Sequence, residues 1–260
     1  MSEPKFSQLI FEKEGKIAWI TLNRPEKLNA LSIILWHELH DAIDLAEKDE
    51  NIYTIAITGA GKAFCAGDDI SELNAIKTIK DAYNFFLFDI CPVVEKILVC
   101  TKPIIAAVNG LAYGGGCEMV ILCDLAIAAD HAKFAQPEGR LGTFAPMAAV
   151  FAPSQLGRKE TAKLLLTGDP IDVQKALRIG LVNQVVPAEK LKDSVRELVV
   201  RMLTIAPLSA AFTKKDINRQ LVEKMTAFKE SLHTMILASQ TEDFKEGVSA
   251  FLEKRKPVWK

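Results

Sequence analysis

Two glutamates lie in apolar stretches of this 260-residue chain and are the first candidates for chemistry. Glu118 stands inside residues 105–129, IAAVNGLAYGGGCEMVILCDLAIAA, a stretch with no lysine or arginine. Glu138 follows twenty positions later, in AKFAQPEGRLG. Burial raises the pKa of a carboxyl group, and a second carboxyl nearby raises it further. Two carboxyls tuned in this way suit general acid–base catalysis near neutral pH.

The same glutamates could instead form structural ion pairs with a nearby cation such as Arg140. Perturbed carboxyls mark functional sites only statistically, so spacing alone leaves both interpretations open.

Two glycine loops could supply hydrogen-bond donors to an anion. They are CAGDD at 65–69 and YGGGCE at 113–118, and each lies between a predicted strand and a predicted helix. The first N–H groups of a helix have no partner within it, so two facing loops could donate to one oxyanion. Either loop could equally be only a tight turn, and neither matches a dinucleotide or phosphate-binding glycine motif.

Strands alternate with helices up to about Lys159. Period-2 and apolar runs predict strands at 7–12, 16–22, 53–59, 102–110 and 125–129, with a hairpin turn at Glu14-Gly15. Helices are predicted from the cap Ser32 to about Lys48, after an Asp69/Glu72 capping box, over 82–100 and over 116–124.

Beyond Lys159 the pattern is mostly helical, with Gly or Pro at the helix ends. This order predicts an α/β fold in which a sheet-bearing core, 1–190, precedes a helical region, 191–260.

Composition excludes several classes of function. The net charge of −1 argues against nucleic-acid and anionic-membrane binding, which usually need a basic excess. The five cysteines form no CxxC pair and the four histidines are scattered, which predicts no metal site and reduced thiols in the cytoplasm. The glycines and acids inside 105–129 argue against a membrane span, and the charged N-terminus against a secretory signal.

Taken together, the motifs resemble the crotonase (enoyl-CoA hydratase/isomerase) superfamily over nearly the whole chain. The resemblance is carried by ITLNRPEKLNAL (20–31), GKAFCAGDDI (61–70), the run 102–129, FAQPEGRLG (134–142), LLLTGDPIDVQKALRIGLVNQVV (164–186) and EGVSAFLEKRKPVW (246–259). It implies a spiral of ββα repeats with a helical C-terminal trimerisation region. It also implies a homotrimer or a dimer of trimers.

The resemblance further implies hydration of an enoyl-CoA thioester to a 3-hydroxyacyl-CoA. Glu118 would activate the water, Glu138 would supply the C2 proton, and the backbone N–H groups of Asp68 and Gly115 would form the oxyanion hole. No cofactor is implied beyond the coenzyme A of the substrate. The remaining residues implied to meet the substrate are Ala66, Ile70, Gly114, Pro137, Phe144, Pro146, Phe251 and Lys254, the last two from a neighbouring subunit at the adenine and phosphate end.

The chain departs from the family pattern at two places. Asp68 stands where many hydratases carry Ala, and we expect its side chain to point away from the oxyanion. Residues 141–157, LGTFAPMAAVFAPSQLG, replace a glycine-rich run, with Pro146 in place of the glycine beside the catalytic water. These changes are either repacking at a helix start or an altered acyl pocket similar to that of cyclohexa-1,5-diene-carbonyl-CoA hydratases.

The superfamily also contains isomerases, hydrolases and non-catalytic RNA-binding members, and the resemblance leaves each of these functions open. The presence of both Glu118 and Glu138 favours hydration over isomerisation or hydrolysis, which could use the same oxyanion hole with one carboxylate.

Overall fold

The computed structural model describes residues 5–260. The strands in this range are β1 (Leu9–Glu14), β2 (Ile17–Leu22), β3 (Thr54–Gly59), β4 (Ala63–Cys65), β5 (Ile104–Val108), β6 (Leu111–Tyr113), β7 (Leu125–Ala129), β8 (Lys133–Ala135), β9 (Ile171–Asp172) and β10 (Gln184–Val186). The α-helices are α1 (Ile33–Lys48), α2 (Ile70–Leu73), α3 (Ile79–Tyr83), α4 (Cys91–Val99), α5 (Gly115–Leu122), α6 (Pro146–Leu156), α7 (Arg158–Thr167), α8 (Val173–Arg178), α9 (Leu191–Met202), α10 (Pro207–Glu223), α11 (Met225–Ala238) and α12 (Glu242–Leu252).

The strands form two sheets that confirm the α/β prediction. The larger sheet has the order β1-β2-β3-β5-β7-β10 and the smaller has the order β4-β6-β8-β9. Three successive strand pairs, β3–β4, β5–β6 and β7–β8, each place their first strand in the larger sheet and their second in the smaller. This repeat is the ββα spiral that the resemblance implies.

The parallel strands of the smaller sheet decide where the candidate site lies. β6 is parallel to both β4 and β8, so the carboxyl ends of all three strands meet at one edge. The segments that leave that edge begin at Ala66, Gly114 and Gln136. Both glycine loops and the Glu138 segment are therefore brought together by the topology.

Several sequence predictions are confirmed in detail and two are wrong. Ser32 caps α1, because its side chain accepts from the Leu35 N–H at 3.1 Å. The hairpin turn lies one residue later than predicted, since Glu14 pairs with Ile17 and the turn is at Gly15 and Lys16. The helix after Asp69 begins as predicted but without a capping box.

At this helix start Asp69 accepts from the Ser71 N–H at 3.1 Å. The carboxylate of Glu72 accepts instead from the Ile33 N–H at 2.7 Å, which ties α2 to the start of α1. The capping-box prediction failed because a tertiary acceptor role for Glu72 replaced the local one.

The apolar run 105–129 forms β5, β6, α5 and β7 within the core, and every residue of α5 is buried. No helix in the described range, 5–260, is long and apolar enough to cross a membrane.

The C-terminal helices differ in how they attach. α9 packs on the larger sheet through Leu191, Val195 and Val199. α10 buries only Lys214 and Asn218, and Lys214 pairs with Asp124 at 2.7 Å. The domain boundary between residues 190 and 191 remains a prediction. α9 begins directly after it and still packs on the larger sheet.

α12 packs directly on the 3-10 turn Glu138–Leu141. A Cβ at Gly247 would lie 2.3 Å from the carbonyl carbon of Leu141, and one at Gly142 would lie 2.1 Å from the Asp243 oxygen. Only glycine permits this approach, so α12 fixes the turn that carries Glu138.

Candidate active site

The two glycine loops touch at the edge of the smaller sheet. Gly67 has φ of +97° and Gly114 has φ of +52°, values that favour glycine. A Cβ at Gly67 would lie 3.3 Å from the Gly115 N and 3.4 Å from the Gly114 Cα. The backbones of the loops are thus in contact, which side chains would prevent.

Two backbone donors lie side by side where the loops meet. The N–H groups of Asp68 and Gly115 donate to no acceptor within residues 5–260. Gly115 is the first residue of α5, where a helix leaves its N–H groups unpaired. A Cβ at Gly115 would lie 3.8 Å from the Asp68 N. This pair has the composition of an oxyanion hole.

Glu118 projects from the first turn of α5 and is 3% exposed. Its Oε1 accepts from the Ala148 N–H at 2.8 Å, at the third residue of α6. Burial, followed by the charge of Glu138, raises the pKa of Glu118 well above its ordinary value. Pro146 is buried as the first residue of α6, where its missing N–H costs no helix hydrogen bond.

Glu138 opens the 3-10 turn that follows β8 and is half-buried. A Cβ at Gly114 would lie 3.1 Å from Glu138 Oε1, so the carboxyl group rests against the second glycine loop. Burial raises the pKa of Glu138 to about 8, with a further contribution from the charge of Asp68. The two glutamates act on one another electrostatically, which is the basis for a shared acid–base function.

Gln136 is a site residue that sequence reasoning missed. It is 1% exposed, and with its amide nitrogen toward Glu138 it donates to Oε1 at 3.0 Å and to Oε2 at 3.3 Å. With Glu138 ionised, the opposite orientation would set two acceptors against each other, so this orientation is assigned to the carboxylate form. Its position two residues before Glu138 was the available signal.

Arg140 does not form the structural ion pair with Glu138 that the sequence left open. It pairs instead with Asp169 Oδ1 at 2.6 Å and donates to the Thr167 oxygen. No group of three or more His, Cys, Asp or Glu side chains in the described part of the chain is arranged to hold a metal ion.

The side chain of Asp68 only partly follows the expectation that it points away from the oxyanion. Its Oδ1 accepts from Trp36 Nε1 at 3.0 Å, on the core side. Its Oδ2 would lie 3.7 Å from a Cβ at Gly115, beside the donor pair. Burial, with smaller contributions from the charges of Glu72 and Asp69, raises the pKa of Asp68 to about 6.

The other residues predicted to contact the substrate lie in several elements, some beside the two loops and some at the end of α12. Ala66 and Ile70 are half-buried on either side of the first loop, and Pro137 directly precedes Glu138. Phe144 is half-buried and packs against the core. Phe251 and Lys254 are exposed at the end of α12.

A family model described as enoyl-CoA hydratase/isomerase matches residues 12–260. The chain belongs to this family. A family member from Dictyostelium discoideum, "Probable enoyl-CoA hydratase, mitochondrial", is 39% identical over 95% of this chain and 89% of its own length. The "Short-chain-enoyl-CoA hydratase" of Clostridium acetobutylicum is 37% identical over 97% of each chain.

The enoyl-CoA hydratase/isomerase fold is also that of solved structures. An enoyl-CoA hydratase/isomerase from Xanthobacter autotrophicus Py2 superposes with a TM-score of 0.88 at 29% identity, over 96% of this chain and 98% of the other. The family and the fold that the sequence resemblance implied are thereby confirmed.

Proposed function

We propose that this chain is an enoyl-CoA hydratase that adds water across the 2,3 double bond of an enoyl-CoA thioester. The product is a 3-hydroxyacyl-CoA. One observation carries the proposal: two carboxyls of raised pKa, Glu118 and Glu138, lie beside two unpaired backbone donors. The relatives named as enoyl-CoA hydratases support the same reaction.

In the proposed mechanism the N–H groups of Asp68 and Gly115 bind the thioester carbonyl oxygen. The oxygen of a water molecule adds to C3, and the electrons of the double bond move toward the carbonyl oxygen as an enolate. Donors fixed by the backbone stabilise this charge without reorganising, which lowers the barrier.

The two glutamates divide the proton transfers. Close like charges oppose each other, so the pair tends to retain one proton. The Ala148 N–H and the N-terminus of α6 favour ionised Glu118, which takes the proton of the attacking water. Protonated Glu138 delivers its proton to C2, and a proton passing from Glu118 to Glu138 through solvent restores the pair. No cofactor beyond the substrate's coenzyme A takes part.

A separate question is which acyl group the thioester substrate carries. Pro146 has no N–H to offer a water, and Phe144 adds a half-buried aromatic ring at the start of the remodelled segment 141–157. The similarity of this segment to that of cyclohexa-1,5-diene-carbonyl-CoA hydratases makes a cyclic dienoyl thioester the second candidate substrate.

The deciding experiment follows loss of the conjugated thioester absorbance with crotonyl-CoA and with cyclohexa-1,5-diene-carbonyl-CoA in parallel. Turnover of crotonyl-CoA alone would identify a short-chain hydratase and make the 141–157 changes repacking. A strong preference for the cyclic diene would make that segment the specificity element. Activity on neither, together with isomerase or thioester hydrolase activity, would overturn the hydratase proposal.

We also propose a homotrimer or a dimer of trimers, in the cytoplasm. α10 leaves large apolar side chains exposed, Leu208 at 70%, Phe212 at 64% and Ile217 at 70%. A groove of about 800 Å³ beside it is lined largely by apolar side chains. Such a surface fits subunit contacts. Light scattering would measure the mass, and Phe212→Glu should reduce it; a monomeric wild-type chain would contradict this assembly.

A further inference from the structure

The carboxyl group of Asp68 stands beside the donor pair to which its own backbone belongs. Trp36 Nε1 donates a hydrogen bond to its Oδ1 at 3.0 Å. Its Oδ2 has no hydrogen-bond partner within residues 5–260. Every side-chain oxygen in that range that lacks a partner is reached by solvent. Oδ2 therefore borders accessible space next to Gly115.

The charged groups around Asp68 are predominantly acidic. Those facing it from the neighbouring elements are Asp69 and Glu72 at α2, Glu118 on α5, and Glu138 on the 3-10 turn. The nearby cations are Arg24 and Lys27, and each contacts Asp69 Oδ2 at 2.8 Å. No cation in the described chain pairs with Asp68 itself, so its ionised form is compensated only by the Trp36 indole.

An ionised carboxylate at this position would repel the charge that the donor pair is built to receive. Like charges a few ångströms apart in a partly desolvated site interact strongly. A neutral carboxylic acid removes the conflict, and apolar sites in other enzymes keep a carboxyl protonated for this purpose. Alanine at this position would be neutral at every pH.

We propose that Asp68 is a positioning residue that gates the oxyanion hole by its charge: the neutral acid permits an enolate oxygen to bind, and the carboxylate opposes it. The inference rests on the proposed hydration, in which the thioester oxygen becomes enolate-like. The gate closes as pH rises through the pKa of Asp68, which is about 6 in the free protein. A bound enolate adds another negative charge and moves that midpoint upward.

The test uses acetoacetyl-CoA, whose bound enolate is read by its ultraviolet absorbance without any turnover. Enolate affinity is measured from pH 5 to 8.5 for the wild type, Asp68→Asn and the control Glu72→Gln. Asn keeps an oxygen for Trp36 and carries no charge. At pH 7.5 Asp68→Asn should bind the enolate about tenfold more tightly than the wild type, and the advantage should shrink toward pH 5.

Glu72→Gln removes a neighbouring negative charge that helps to raise the pKa of Asp68, so its enolate affinity should still fall with pH, with the midpoint at a lower pH than in the wild type. Equal gains in both variants, or a gain in Asp68→Asn that does not change with pH, would overturn the gate. If Asp68→Asn does not fold, Trp36→Phe replaces it. Loss of the indole donor should raise the pKa of Asp68, so the enolate affinity of this variant should fall at a higher pH than that of the wild type. A fall at the same pH would count against the gate.

Turnover separates this inference from the function on which it rests. In crotonyl-CoA hydration the ratio of kcat at pH 5.5 to kcat at pH 7.5 should be larger for the wild type than for Asp68→Asn, with KM little changed. A wild type that binds the enolate with the expected pH dependence but hydrates no enoyl-CoA would defeat the hydratase proposal and leave the gate standing. An active wild type whose enolate affinity matches that of Asp68→Asn at every pH would defeat the gate alone.

Discussion

The backbone N–H of Ala148 donates to Glu118 Oε1 at 2.8 Å, which joins the start of α6 to the first turn of α5. Burial favours the neutral acid, whereas this bond and the partial positive charge of the α6 N-terminus favour the carboxylate. The balance between these effects suits a group that must accept a proton and release it again in each turnover.

Replacement of either glutamate by Gln should lower kcat by about 10²–10⁴-fold, the usual contribution of one general acid or base. The amide preserves the size of the side chain but neither accepts nor delivers the proton. Steady-state hydration of crotonyl-CoA gives the numbers, with circular dichroism to confirm folding. Exposed Glu230→Gln is the matched control. Loss of activity in Glu118→Gln but not in Glu138→Gln would rule out the paired mechanism.

Gln136→Met should lower kcat and shift its alkaline limb to higher pH. The amide of Gln136 donates to both oxygens of Glu138 and so favours the ionised form. Met fills the buried space without a donor, which raises the pKa of Glu138 above about 8. A pH profile of kcat between 6 and 10 measures the shift. An unchanged alkaline limb would show that Gln136 only fills space.

Gly247→Ala should destabilise the protein by about 1–3 kcal/mol and reduce kcat, as overpacking does. The new methyl group would lie 2.3 Å from the Leu141 carbonyl carbon and force α12 off the Glu138 turn. This outweighs the roughly 1 kcal/mol that Ala gains over Gly in a helix. Urea denaturation and kcat provide the measurements.

The control is Gly139→Ala on the same turn, where the closest atom to a new Cβ, the Leu165 oxygen, is 4.0 Å away. Comparable losses in both variants would show that the turn, and not its contact with α12, is the sensitive element.

The pKa of Glu138 also makes stability depend on pH. Its pKa rises from an ordinary 4.5 to about 8 on folding, so the folded state holds the proton more tightly than the unfolded state. The resulting stabilisation is complete below pH 4.5 and is lost as pH rises through 8. Urea denaturation should therefore show a smaller decrease between pH 5 and 8.5 for Glu138→Gln than for the wild type. A decrease of the same size would mean that Glu138 titrates normally.

The parts of this site that the sequence predicted carry strong local signals. Glu118 is an isolated charge in an apolar run, and the two glycine loops each follow a strand. Ser32 could be recognised as a cap because the capping bond spans only three residues. Each of these features depends on a short segment, so the residue types of that segment are enough to indicate its chemistry.

The parts that were missed depend on contacts between distant segments. The hydrogen bond from Trp36 to Asp68 spans 32 residues. Glu72 accepts from the Ile33 N–H, 39 residues away, instead of completing a capping box. The short strands β9 and β10 carry too few residues for periodicity to be recognised. Periodicity and propensity describe neighbours in sequence, and such contacts are decided by the assembled fold.

The close contact between Gly247 and Leu141 also bears on the order in which the protein matures during synthesis. A ribosome that has released the chain only as far as residue 240 has delivered both glutamates, both glycine loops and every strand, but not α12. Until α12 emerges, the turn beneath Glu138 lacks the surface that holds it in place. The turn that carries Glu138 is therefore among the last parts of the site to gain its packing partner as the polypeptide grows.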